Sequence, residues 1–364
     1  MRILTVGNLY PPQHLGGYER MWQAAVAGLR ARGHDVRVLT TDTRLHDAED
    51  DEPDVERSLR WYWRDHRFPY MGPLAVRGLE RHNRAVFRRA AEDADLVSWW
   101  SMGGMSLRLI GLPAAPAVSV VHDDWLVYGP KVDRSLQRRP RRLPPAERLG
   151  HGLFVSSHTL ERARAGGWAP PTAEVVHSGY DERVFEAAEP RPWRWRLLLA
   201  GRIDERKGHR TAVAALHELP DQATLTVAGA GDPALTRELA REPRVRMVGA
   251  LRPDALAAAY AAADVVLFPV EWDEPWGLVP LEAMAVGRPV VATGTGGSGE
   301  YLRAGRNCVL HAPGDPAALA AAVRRLAGDE GLRARLREGG FATARRHTLS
   351  RFVERICDVH EALA

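Results

Sequence analysis

Lysine is nearly absent from this chain. Of 50 basic residues only Lys131 and Lys207 are lysines, and with the many alanines this marks a compositional bias, under which a single arginine says little and a well-placed lysine says more. Cysteine is equally scarce. Cys308 and Cys357 stand in no metal-ligand or redox spacing, which excludes the disulfide framework of a small secreted domain and predicts two core fillers in a reducing cytoplasm. No run of about 18 apolar residues is present to span a bilayer, and the apolar stretch from Ile3 to Val6 is too brief for a signal peptide. The expectation is a soluble protein, at most in weak peripheral contact with a membrane. An excess of one charge is also lacking, because Lys+Arg 50 nearly balances Asp+Glu 46 and the signs are mixed, so the net +4 makes no case for a nucleic-acid partner.

What is present is globular material. Hydrophobic residues reach 45% and charged residues 26%, without low-complexity tracts, and 364 residues exceed what one core organises, so two folded domains are expected. Ile3 to Val6 reads as a buried strand, Tyr18 to Ala31 as a helix, Gly33-His34 as its stop, and Val36 to Leu39 as the next strand. Short apolar strands recur at Asp95 to Ser98, Ala117 to Val121, Leu153 to Val155 and Glu174 to Val176, the pattern of a parallel sheet covered on both faces. An acidic, proline-rich stretch from Glu186 to Trp193 marks a linker. Beyond it, Arg196 to Ala200, Thr224 to Ala228, Arg244 to Val248, Val265 to Pro269 and Pro289 to Thr293 alternate with alanine-rich helical stretches.

The predicted architecture is therefore α/β, with two Rossmann-like doubly wound domains facing a central cleft. Residues 1–185 form the first, 186–195 the linker and 196–349 the second. Residues 350–364 form a terminal helix whose apolar stripe, Phe352, Val353, Ile356, Val359 and Leu363, docks back on the N-terminal domain. Lys131 to Arg148, rich in arginine and proline, is expected to be irregular and mobile.

The segment Glu271-Trp272-Asp273-Glu274-Pro275-Trp276-Gly277-Leu278-Val279-Pro280-Leu281-Glu282-Ala283 follows a predicted strand and opens a helix near Leu278. Pro280 suits its first turn and Gly287 its stop, so the backbone N–H groups of Gly277 to Val279 are placed to meet an anion. Glu274 and Glu282 flank that position; carboxylates repel phosphate, so they fit sugar hydroxyls, one a ribose and the other a transferred sugar. Gly201-Arg202-Ile203-Asp204-Glu205-Arg206-Lys207-Gly208 puts Arg202 and Lys207 at a sheet's carboxyl edge, where two cations suit a diphosphate that gains charge as it leaves. Gly16-Gly17 offers a phosphate loop that is neither G-x-G-x-x-G nor a P-loop. His122, just past a strand, is the catalytic candidate of the first domain, with Asp123 beside it to orient the ring. Weaker candidates are Gly294 to Glu300, flexible backbone near the same edge with Glu300 facing ligand, and Gly229 to Asp232 and Val248 to Leu251 (Val248 and Gly249 foremost) as walls of a base pocket.

Together these segments resemble the retaining GT-B glycosyltransferases of family GT4. The likeness rests on Gly16-Gly17, His122, Ser178-Gly179-Tyr180-Asp181 with Phe185, the G-R-x(4)-K-G block at Gly201 to Gly208, and the E-x7-E pair Glu274 and Glu282. The resemblance implies that Arg202 and Lys207 bind the diphosphate of a nucleotide sugar, UDP before GDP, that Glu282 binds its ribose, and that Glu274 holds its sugar. It also implies that Gly277, Leu278 and Val279 contact sugar and phosphate, that Gly17 approaches the diphosphate, and that His122 lies beside the reacting sugar. Ser178-Gly179-Tyr180-Asp181 departs from the common Asn-Gly-Val-Asp form. The reaction implied is transfer to an acceptor hydroxyl with retention, forming an α linkage without a metal or other cofactor. A UDP-N-acetylglucosamine 2-epimerase-like enzyme is the alternative. A basic surface at Lys131 to Arg148 binding membrane or nucleic acid is a further one, opposed by the composition bias and the lack of an aromatic platform. Trp22, Trp99, Trp100 and Trp125 read as core before acceptor-binding faces.

Overall fold

The computed structural model describes residues 1–45, 52, 54–64 and 67–363. Contacts divide the chain into two compact units, Met1–His177 with Phe352–Ala364, and Ser178–Arg351. Each unit has its own core.

In the first unit seven parallel strands, β1 (Arg2–Val6), β2 (Asp35–Thr41), β3 (Val55–Leu59), β4 (Leu96–Trp99), β5 (Ala117–Val121), β6 (His151–Phe154) and β7 (Thr172–Val175), lie in the order β3-β2-β1-β4-β5-β6-β7. Ile3, Leu4 and Val6 are all buried although they alternate faces, as a sheet covered on both sides requires. β3 was not anticipated, since Val-Glu-Arg-Ser-Leu has apolar residues only at its ends and lies at the sheet's edge. Lys131 to Arg148 departs from the irregular segment expected. It holds the end of the helix Trp125–Val132, the short helix Arg134–Arg138 and two 3-10 turns. Asp133 explains the order: its carboxylate caps Ser135 N and Leu136 N and also accepts from Leu107 N, while Leu136 and Leu149 are buried.

The helix Leu349–Ala362 buries Phe352, Ile356, Cys357, Val359 and His360 in this unit, and Arg32 pairs with Asp358 and Glu361, both at 2.8 Å. It lies so close to the helix Tyr18–Ala31 that a Cβ on Gly28 would stand 2.2 Å from Val353 Cγ1. The terminal helix thus docks on the N-terminal domain. Cys357 and Cys308 are both buried, and burial pushes their thiols up to about 11 and about 12. The four tryptophans Trp22, Trp99, Trp100 and Trp125 are core residues.

In the second unit six parallel strands, β8 (Arg196–Ala200), β9 (Thr224–Ala228), β10 (Val245–Gly249), β11 (Val265–Phe268), β12 (Val290–Ala292) and β13 (Val309–Leu310), take the order β10-β9-β8-β11-β12-β13. Both sheets have doubly wound order, with the reversal between β1 and β4 in one and between β8 and β11 in the other, the positions outside which such sheets bind ligands. Ser178 to Phe185 groups with this unit: Trp276 Nε1 donates to Ser178 O at 2.9 Å, and Gly179 fits because a Cβ there would meet the Thr348 backbone at 2.1 Å.

Candidate functional site

The site is assembled where β8 and β11 end. After β8, Gly201 adopts φ +128° and the chain turns through Arg202 to a 3-10 turn, Glu205–Lys207, capped by Asp204, whose carboxylate accepts from Arg206 N at 3.0 Å. The same carboxylate accepts from Arg202 Nε at 2.9 Å and Arg206 Nη2 at 3.2 Å. Burial pushes the Asp204 carboxyl up, but the two guanidiniums outweigh it and hold it below the usual carboxylate range. Gly208 then takes φ +68° and opens the helix His209–Leu216; a Cβ there would fall 1.9 Å from Pro269 O, just beyond β11. That contact sets the distance between the loop bearing Lys207 and the loop bearing Glu274.

Lys207 Nζ donates to Glu274 Oε2 at 2.6 Å, and Trp272 Nε1 donates to the same oxygen at 2.8 Å. The two charged side chains are mostly buried, 19% and 11% exposed, so their charge-assisted bond acts in a partly desolvated site. The Trp272 ring also lies under two cations, with Arg206 Cζ at 4.3 Å and Lys207 Nζ at 5.5 Å from its centroid. Glu274 is fixed from behind by Gly297 N, which donates to its carbonyl at 2.7 Å; Gly296, at φ +60°, permits that approach. Gly294 to Glu300 therefore acts here as a brace for Glu274.

Gly277 at φ +87° turns the chain into the helix Val279–Val286, whose cap, Leu278, supplies no side-chain bond to the first-turn N–H groups. Pro280 lies in that turn and Gly287, at φ +80°, ends the helix, as its sequence predicted. Tyr301 OH holds Gly277 O at 2.6 Å, and Tyr260 OH donates to Glu282 Oε2 at 2.7 Å. Arg202, Lys207, Glu274, Gly277, Leu278, Val279 and Glu282 thus occupy the ends of two neighbouring strands and the helix start after β11. Val248 and Gly249 end β10, two strands from β8 and three from β11, with Gly249 exposed at φ +71°. Gly229 and Gly231 are packing residues, because Cβ atoms there would lie 1.8 Å from Gly201 O and 2.1 Å from Ile203 O. Beside the loop, a cavity of about 110 Å³ is lined by Asp204, His209, Thr211, Leu235 and Glu271 among others. Burial pushes His209 down to about 4.

Sequence reasoning gave no role to Asp204, Trp272 or Tyr260. The first two were legible in principle, being two residues from Arg202 and Glu274 respectively; Tyr260 is 22 positions from Glu282 and had no local signal.

In the first unit Gly17 caps the helix Tyr18–Ala31, and Leu15 N and Gly16 N both donate to the Glu19 carboxylate, at 3.1 and 3.2 Å. An anion at these amides has to compete with Glu19. The His122 ring packs against Tyr18, Trp100 and Phe352 with centroids at 5.1, 5.9 and 5.5 Å; its Nε2 is enclosed without a hydrogen-bond partner among the described residues, and burial pushes the ring down to about 3. Asp123 does not orient it as expected. Its carboxylate turns to Trp125 N at 3.1 Å and Tyr128 OH at 3.0 Å, and burial pushes it up to about 6. Among the described residues no helix is long and apolar enough to cross a membrane.

Known proteins share this plan. The family described as Glycosyltransferase Family 4 matches residues 15–184, and Glycosyl transferases group 1 matches residues 194–329. A glycogen synthase of Mycobacterium tuberculosis is 32% identical over 359 residues, covering 90% of this chain and 86% of the relative. D-inositol 3-phosphate glycosyltransferase 1 of Catenulispora acidiphila is 30% identical over 312 residues, covering 75% and 73%. Among solved structures, sucrose-phosphate synthase from Thermosynechococcus elongatus aligns at TM-score 0.77 with 21% identity, over 100% of this chain and 98% of that one. Anabaena HepE in complex with UDP-glucose aligns at 0.76 with 20% identity over the whole of both chains. The chain belongs to glycosyltransferase family 4, with the GT-B fold of two Rossmann-like domains, and is a glycosyltransferase.

Proposed function

We propose that this glycosyltransferase moves a sugar from a nucleotide diphosphate, UDP before GDP, to a hydroxyl of a small-molecule or glycan acceptor, retaining the anomeric configuration in an α linkage. The observation that carries the reading is the Lys207–Glu274 bond joining the loops after β8 and β11, with Arg202 on the first loop and Glu282 on the helix that follows the second, at the reversal point of a doubly wound sheet. Arg202 and Lys207 hold the diphosphate and neutralise the charge that builds on it as the glycosidic bond breaks; the N–H groups of Gly277 to Val279 add to them. This supply of positive charge makes a divalent cation unnecessary.

Glu282, steadied by Tyr260, accepts from the ribose hydroxyls. Glu274, steadied by Trp272, accepts from the hydroxyls of the donor sugar while its bond to Lys207 keeps sugar and phosphate sites in register. Val248 and Gly249 border the base. In the first unit burial pushes His122 down to about 3, so in this reading its imidazole is neutral and serves as a hydrogen-bonding group rather than as a proton donor. The acceptor proton passes to the leaving phosphate oxygen on the same face as the departing diphosphate. Family membership favours transfer over the epimerase alternative.

Incubation with UDP- and GDP-sugars over an acceptor panel tests this. Nucleotide release that depends on acceptor, survives chelator and falls about 100-fold or more in Arg202→Ala/Lys207→Ala supports it. Isomerised donor without acceptor, an inverted product, or loss of turnover with chelator refutes the corresponding part.

A further inference from the structure

Two large apolar side chains stand in solvent on one face of the first unit, Tyr70 at 86% and Leu74 at 80% exposure. They lie at the start of the helix Pro73–Ala90. Its inner side buries Val76, Leu79, Asn83, Val86 and Phe87, and its other side carries Arg77, Arg81, Arg84 and Arg88 at spacings of four, three and four, one continuous row. None of these four arginines has an acidic partner within ion-pair distance among the described residues.

The helix Arg134–Arg138 is fastened alongside: Arg134 donates to Phe68 O, and Arg138 Nη2 to Met71 O at 2.8 Å. Exposed Arg139, Arg141 and Arg142 follow it. Residues 67–90 and 131–142 each hold six Arg or Lys and one acid, and both acids, Glu80 and Asp133, are buried. In a chain of net charge +4 this is a concentrated positive field, which composition bias alone does not produce. The field registers at Arg142, where Arg139 foremost, then Arg108 and Arg84, press the guanidinium below its ordinary range.

We propose that this face seats the first unit on the anionic headgroups of a lipid bilayer, with Tyr70 and Leu74 entering the headgroup boundary and the arginines lying over lipid phosphates. The pairing of features selects a bilayer over a nucleic acid. A phosphate backbone satisfies the arginines but leaves Leu74 exposed beside it, whereas a bilayer takes both the charge and the apolar tip. The inference stands apart from the proposed transfer reaction, because its readout is binding to a surface without any sugar present.

Co-sedimentation of the full chain with phosphatidylcholine vesicles, and with vesicles also containing phosphatidylglycerol, tests it. Expected is binding to the anionic vesicles only, weakened ~10-fold or more between about 0.1 and about 0.5 M salt. Arg77→Glu/Arg81→Glu and Tyr70→Ser/Leu74→Ser should each lower that binding about 10-fold or more, while glycosyl transfer to a soluble acceptor is unchanged. Equal binding to both vesicles, no binding to either, unchanged binding by Tyr70→Ser/Leu74→Ser, or equally tight binding to duplex DNA overturns the proposal.

Discussion

A methyl group at Gly208 would meet two obstacles at once, a carbonyl oxygen 1.9 Å away and a backbone φ of +68° that side chains disfavour. Gly208→Ala is therefore expected to destabilise the second unit by about 2 kcal/mol or more, read from denaturant unfolding, and to lower transfer because the loop carrying Lys207 must move off β11. Trp272→Phe separates geometry from stability. It keeps a ring beneath Arg206 and Lys207 but removes the N–H that holds Glu274, so kcat/KM for donor should fall about 10-fold with little change in unfolding midpoint, a charged acceptor losing one bond. An unfolding midpoint that drops with activity would instead make Trp272 a packing residue.

At the scale of elements, the terminal helix gives the plainest energetic case. Phe352 is 2% exposed, and Phe352→Ala should cost about 3 to 5 kcal/mol through lost burial and the cavity left behind. His360, fully buried on the same helix, bonds Ile356 O at 2.7 Å and Ser98 Oγ at 2.9 Å, and burial pushes its pKa from 6.5 down to about 4. The unfolded chain takes up a proton below pH 6.5 that the folded one refuses until about pH 4, so the stability this residue confers is complete above 6.5 and is lost as pH falls. Against His360→Gln, the wild type should lose roughly 1.4 kcal/mol of relative stability per pH unit across that window in urea titrations.

The elements best read from sequence were those with local signals. Tyr18 to Ala31, Ala117 to Val121, Arg196 to Ala200 and Thr224 to Ala228 match the structure residue for residue, because apolar residues mark their extent and, in all but Ala117 to Val121, a glycine one or two residues beyond marks the C-terminal end. The two-residue β13 was missed because it is too short to show a period, and the order of Lys131 to Arg148 because it depends on Asp133 reaching Leu107, 26 positions away. The site followed the same rule. Strand-end placement of Arg202, Lys207 and Glu274 was legible, whereas the Asp204 clamp and the Tyr260 bond to Glu282 are tertiary facts, and proximity in sequence wrongly joined Asp123 to His122.

At the scale of the molecule, each unit holds its own core, so heat can melt them in separate steps, and each step can be assigned by what shifts it. The diphosphate and ribose contacts proposed for Arg202, Lys207 and Glu282 all lie in Ser178–Arg351. A ligand that binds only the folded form of that unit adds RT ln(1 + [L]/Kd), about 2.7 kcal/mol at a hundredfold excess over Kd, or about 5–11 °C for a unit of that size. Scanning calorimetry with UDP or GDP should therefore raise the transition that Gly208→Ala lowers, and Arg202→Ala/Lys207→Ala should abolish the rise. The transition lowered by Phe352→Ala should respond less. A nucleotide that raised only that second transition, and still did so in Arg202→Ala/Lys207→Ala, would place diphosphate binding in the first unit and remove the charge assignment on which the proposed reaction depends.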